Sequence, residues 1–163
     1  MKNYLLLIVF SLFCFSCATA YQPLSFSGGY SSTMLDKNIF KVSFQGNGDT
    51  SKERAEDFAL LRSSEITLEN GFSYFLILDK DVSMSYGSFT TPANTTTTGN
   101  LYNYGGVSSF QANSYTTGGQ TFLISKPSTT NLIACFKEKP KEKGLIYDAY
   151  FIKDSIKQKY QIP

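Results

Sequence analysis

Between Phe44 and Asp79 the chain reads as the end of a strand, a glycine turn, one capped helix, a glycine stop and a second strand. A helix held between two strand-like runs must lay its apolar side on a sheet, which restricts the chain to an α+β arrangement. Gly46, Asn47, Gly48 and Asp49 form the turn. Thr50 and Glu53 are spaced as a capping box, which predicts a helix from Ser51 to about Asn70. Asp49 and Glu53 also suit the positive end of its dipole. Asn70 and Gly71 supply the stop. Ala55, Phe58, Ala59, Leu60, Leu61, Ile66 and Leu68 form a broad apolar face. The turn is not a phosphate cradle, because it lacks a lysine and Asp49 would repel an anion.

Strands flank this unit. Asn38–Gln45 alternates cleanly, with Phe40, Val42 and Phe44 on one side. Phe72–Leu78 is almost continuously apolar, as a central strand would be. A right-handed crossover makes the two parallel, with space for a later strand between them. Gln120–Ser125 and Asn131–Phe136 read as an antiparallel hairpin around a turn at 126–129. Leu145–Tyr160 is an amphipathic helix, with Leu145, Ala149, Ile152, Ile156 and Tyr160 at helical spacing. The expectation is one α+β domain over 38–163. A four-stranded sheet is ordered β-α-β, long insert, β-hairpin and C-terminal α, with both helices on one face.

The insert, residues 82–119, is polar and low in charge. From Val82 to Ser125 there is no charged residue at all. Such a segment cannot build its own core. It is either a mobile excursion or a long hairpin of weakly specified register. Tyr86, Phe89, Tyr102, Tyr104, Phe110 and Tyr115 stand among Ser, Gly and Thr, a composition that suits a partner-binding or sugar-stacking surface. The plainer reading is a solvated loop whose aromatics pack on the domain.

Chemistry is sparse. The chain has no His, which excludes Ser-His and Cys-His catalysis and removes the commonest zinc ligand. No cofactor, no metal site and no catalytic set is expected. A net charge of +2 does not suggest a nucleic-acid partner. Asp49, Glu65, Asp79 and Asp81 are the carboxylates available to a hydrolase. Arg62 and Glu65 share a helix face and read as an internal ion pair before they read as a site. Cys135 lies in a strand and reads as a buried, inert thiol. The mixed-sign run 137–143 around Pro140 reads as a soluble turn.

The N-terminus carries an address. Lys2 precedes the apolar run Tyr4–Phe15, which is too short to span a bilayer as a helix, and Ser16, Cys17 and Ala18 follow. This looks like a bacterial lipoprotein signal over 1–16, with Cys17 lipidated after cleavage. Cys14 stands where a Leu is usual, and a plain secretory signal or membrane anchor is the competing reading. Ala18 favours the outer membrane, by resemblance to Gram-negative lipoproteins. After cleavage Cys17 is acylated and Cys135 is alone, so no intrachain disulfide is expected. Residues 17–37 read as a flexible tether, because Pro23 and Gly28–Gly29 argue against a regular element.

Several strings together carry a wider likeness. They are Tyr21-Gln22-Pro23, Gly28-Gly29-Tyr30, G-N-G-D-T-S from Gly46, the run Ala59–Phe75, and Tyr147-Asp148-Ala149. As a set they resemble a family of uncharacterised Gram-negative envelope lipoproteins. The resemblance implies envelope placement and brings no activity with it. The expected function is a non-catalytic outer-membrane lipoprotein facing the periplasm. Its membrane contact is the lipid anchor, and its work is binding or scaffolding for an envelope protein complex or peptidoglycan. The alternatives are a carboxylate-based hydrolase and a structural oligomer assembled through the insert.

Overall fold

The computed structural model describes residues 18–141 and 144–163. The expected signal segment, and Cys17 with it, lie outside the described residues. The chain divides into two compact units. One holds the described residues up to Ser85 together with Ser125–Pro163, and the other is Tyr86–Ile124.

The elements run β1 (Gly29–Asp36), β2 (Ile39–Gln45), α1 (Lys52–Glu69), β3 (Tyr74–Thr90), β4 (Asn94–Tyr104), β5 (Val107–Thr117), β6 (Thr121–Phe136), β7 (Ile146–Asp148) and α2 (Ala149–Tyr160). Five strands form one sheet in the order β1-β2-β6-β3-β7, and β4 with β5 forms a second. The fold is α+β as expected, but the main sheet has five strands where four were anticipated. β6 does lie between β2 and β3, the place left open for a later strand.

Residues expected to be a tether are built into the first unit. β1 pairs antiparallel with β2, with Tyr30 opposite Phe44 and Ser32 opposite Val42. It is an edge strand, so it needs no apolar alternation, and its sequence carried none. Upstream, the Thr19 side chain is buried. Its hydroxyl accepts from the Asn47 N–H at 2.8 Å, and its own N–H donates to Thr50 Oγ1 at 3.0 Å.

That use of Thr50 corrects the expected cap. The N-cap of α1 is Ser51, whose hydroxyl accepts from the Arg54 N–H at 3.1 Å. Thr50 turns inward instead. Asn70 caps the other end, as its place before Gly71 implied. At α2 the helix starts at Ala149, four residues later than its periodicity suggested. Ile146–Asp148 pairs with β3 first, and Asp148 caps the helix by accepting from the Phe151 N–H.

The expected turn at 126–129 is absent, and β6 runs through it. Its pairing with β2 ends at Ser128 opposite Gln45. Pro127 sits one place beyond that ladder, where its carbonyl accepts from the Gly46 N–H at 2.8 Å and only the reciprocal bond is forgone.

Both helices cover the sheet face that carries Phe40, Val42, Phe44, Phe75 and Ile133. The buried side of α1 is less apolar than its sequence pattern implied, since Ser63, Ser64 and Thr67 are fully enclosed. Each hydroxyl donates back to a carbonyl three or four residues earlier, which satisfies its proton within the helix. Asn131 of β6 faces this strip and donates to Ser63 Oγ at 3.3 Å.

The insert is ordered. β4 and β5 pair antiparallel over eleven positions, from Asn94 opposite Thr117 to Tyr104 opposite Val107. Gly105 and Gly106 close the hairpin with φ of 58° and 84°, the positive angles a two-residue turn needs. Where β3 gives way to β4 and β5 to β6, the backbones crowd. A Cβ on Gly118 would lie 2.0 Å from the Pro92 carbonyl oxygen, and φ there is +86°. We expect Gly118→Ala to open the second unit locally at a cost of about 1–3 kcal/mol. Limited proteolysis should accelerate within 86–124 while the helical melting of the first unit stays unchanged. Unaltered proteolysis would show that the crowding is not real.

Candidate functional site

The most concentrated polar chemistry lies where the N-terminal segment, α1 and α2 meet. Arg62, Glu65 and Glu69 come from successive turns of α1, so they stand in one row. The Arg62 guanidinium grips Glu69 through two bonds of 2.7 and 3.0 Å and reaches Glu65 at 3.5 Å. It also lies over the Tyr30 ring at 4.8 Å. Glu65 accepts from the Tyr21 hydroxyl and has Lys157 of α2 at 3.8 Å. Tyr30, Arg62, Glu65, Glu69 and Lys157 line a shallow cleft of about 330 Å³ with Leu68 and Lys153.

The electrostatics are those of a closed network. Side-chain exposure is 13% at Arg62 and 17% at Glu65, so water contributes little to either. Burial pushes the Tyr21 phenol well above its ordinary range, and its bond to Glu65 pushes it further. Burial works against the Arg62 cation, but its bond and charge interaction with Glu69 outweigh that and hold it above the usual value. Every neighbour that reaches Glu65 is a donor. The Glu65 carboxylate is engaged by a phenol, a guanidinium and an ammonium of the chain itself. The arrangement locks three chain segments together.

The other candidate carboxylates do not join it. Asp49 is exposed on the turn before α1, and Asp79 and Asp81 are exposed on β3. Asp79 accepts from the N–H of its neighbour Lys80. Among the described residues no three His, Cys, Asp or Glu side chains are grouped as metal ligands. The Cys135 thiol is buried against the Thr67 hydroxyl at 3.3 Å, and burial pushes its pKa up, which makes it a poor nucleophile.

A second polar cluster joins α1 to α2. Lys159 bridges Glu53 and Asp57, and the Tyr160 hydroxyl donates to Asp57 at 2.9 Å. Lys159 is held above its usual value by these two carboxylates, while Tyr160 is raised by burial first and by Asp57 second.

Tyr86, Phe89, Tyr102, Tyr104 and Tyr115 all lie in the second unit and all are exposed. They do not form one platform. Tyr102 stands near the hairpin turn opposite Ser109, and Tyr115 stands opposite Thr96. Six residues of strand separate those positions, about 20 Å. Tyr86 and Phe89 are three apart on β3 and so point to opposite faces. A row of stacked sugars has no continuous aromatic floor here.

The sequence places Tyr21 in a tether whose aromatics could dock on the domain, and it does not connect Tyr21 or Lys157 with Glu65. No local signal marks either, because each meets Glu65 across a long sequence separation. Comparison with protein-family models, with curated proteins and with solved structures returned no match.

Proposed function

We propose that the protein is a non-catalytic, lipid-anchored component of the bacterial outer membrane, facing the periplasm, that acts by binding or assembly. The observation that carries this reading is the second unit. Every residue of β4 and β5 is exposed, yet the segment is ordered and charge-free. A protein that keeps 22 residues of paired strand outside any core holds them for something other than itself. The Glu65 network supports the non-catalytic part, since the groups around the carboxylate, Tyr21, Arg62 and Lys157, are the chain's own and tie its segments together. The Cys17 signal supports the placement. Of the alternatives, the structural oligomer has a specific observation behind it, the two open edges of β4 and β5. The hydrolase has none.

Two measurements test the reading. Mass spectrometry of the mature N-terminus should find acyl chains on Cys17, and an unmodified start at Ala18 or beyond would overturn the placement. Cross-linking in intact envelopes should capture the chain with envelope proteins, with peptidoglycan or with copies of itself. Recovery of monomer alone would overturn the assembly role.

A further inference from the structure

We propose that the turn Ser25–Gly28 seats one end of the first unit directly on a lipid surface, with the Phe26 ring among the headgroups. This rests on the Cys17 anchor proposed above, and it names the part of the unit that meets the membrane.

The anchor has no slack. Thr19 is 3% exposed and is held by three bonds. Its N–H donates to Thr50 Oγ1 at 3.0 Å, and its hydroxyl accepts from the Asn47 N–H at 2.8 Å and donates to the Ser27 carbonyl at 3.0 Å. Only Ala18 separates it from Cys17. Two residues of chain reach about 7 Å at most. A lipid on the Cys17 sulfur therefore draws the surface around Thr19 down to the bilayer. A long tether would have left every side of the unit equally free to face it.

What protrudes beside Thr19 is apolar. Phe26 is fully exposed, and Leu24 before it is exposed as well. No charged residue occurs from Ala18 to Leu35. The turn is also fastened. Ser25 and Gly28 exchange two backbone bonds of 3.1 Å, and the Gln22 amide donates to the hydroxyls of Ser25 and Ser27 at 3.1 and 3.0 Å. The Thr19 bond to Ser27 then ties the turn to the same residue that limits the anchor. A turn held in this way presents its ring at a fixed place. Aromatic and aliphatic side chains gain by entering the boundary between headgroups and acyl chains.

The charges around the turn do not select a lipid. Lys126 lines one depression with Phe26 and Asn47, while Asp49 is exposed and donates its N–H to Asn47 Oδ1 at 3.1 Å. One charge of each sign flanks the ring, so the apolar side chains carry the contact. From the turn, β1 runs from Gly29 to Met34, five residues and about 17 Å further on. Met34 is exposed too, and it marks the end of the unit that stands clear of the bilayer.

The chain has no Trp, so one substitution supplies a single optical probe. The test uses full mature protein from envelopes, in vesicles of phosphatidylethanolamine and phosphatidylglycerol brominated high on the acyl chain. Emission from Phe26→Trp should shift to shorter wavelength on reconstitution and be quenched by the bromine. Met34→Trp should keep water-like, unquenched emission. Both sites are exposed, so helical melting should be unchanged in both variants. Water-like emission from Phe26→Trp, or equal quenching of the two variants, would overturn the seating. Mass spectrometry of Cys17 on the same samples separates this from the anchor. Acylated protein whose Phe26→Trp probe stays in water sinks only the seating. A quenched probe on protein without acyl chains sinks only the anchor, and failure of both measurements sinks both.

Discussion

Phe58→Ala is expected to remove about 3–5 kcal/mol from the unfolding free energy of the first unit. Phe58 is 1% exposed, and four groups meet it from four parts of the chain. Its ring lies edge-on to Phe44 of β2 at 5.1 Å, to Tyr21 of the N-terminal segment at 5.4 Å and to Tyr160 of α2 at 4.9 Å. The Arg54 guanidinium covers it at 5.1 Å. Truncation removes the transfer free energy of the ring. It also leaves a cavity that three different elements would have to move to fill, so relaxation recovers little. Stability of a domain is about 5–15 kcal/mol in total, so the loss brings the unit close to unfolding. Denaturant melts read at the helical signal report on the first unit, because both helices of the described residues belong to it. Phe26→Ala is the control, an exposed aromatic whose loss should stay within about 0.5 kcal/mol. A Phe58→Ala loss below about 1 kcal/mol would show that the ring is not the hub described here.

Glu65→Ala is expected to cost about 2–3 kcal/mol. Breaking a buried ion pair costs about 3–5 kcal/mol. Here the carboxylate keeps some contact with water, and Arg62 retains Glu69, so the lower figure applies. What remains is a half-buried phenol without its acceptor and a guanidinium with one partner fewer. A cycle with Tyr21→Phe should show a coupling of about 1–2 kcal/mol, and strict additivity would mean that the phenol and carboxylate do not interact.

The same pair has a signature in pH. The Tyr21 phenol is raised in the folded protein, by burial first and by Glu65 second. Below about pH 10 the proton is bound in folded and unfolded chains alike, and the contribution is complete. Above that the unfolded chain releases it first, and stability falls by about 1.4 kcal/mol per pH unit for this group. Tyr21→Phe should flatten the alkaline slope by that one proton. Tyr160, raised through burial and Asp57, keeps its own share in both proteins.

Much of the first unit was legible in the sequence. The stop at Asn70–Gly71, the alternation of β2 and the apolar start of β3 are local patterns, and each lies where it was expected. The candidate site was only half legible. Arg62 and Glu65 share a face by helical spacing, but Tyr21 and Lys157 reach Glu65 only after the chain has folded. The Ser63, Ser64 and Thr67 strip was passed over because its satisfaction comes from the helix's own carbonyls, which hydrophobic periodicity does not record.

By itself, the sequence determined the α+β class, one capped helix and its end, and a stretch of 44 residues without charge. These depend on periods of 3.6 and 2, on caps and on composition, all of which act over a few residues. Only the tertiary structure decided that residues 29–36 form an edge strand, that β6 runs through Pro127, and which hydroxyls of the hairpin pair. Each of those depends on what lies across the ladder. An edge strand needs no apolar face, a proline is harmless only where its neighbour strand has ended, and a shift of one residue would exchange the two faces of β4 and β5.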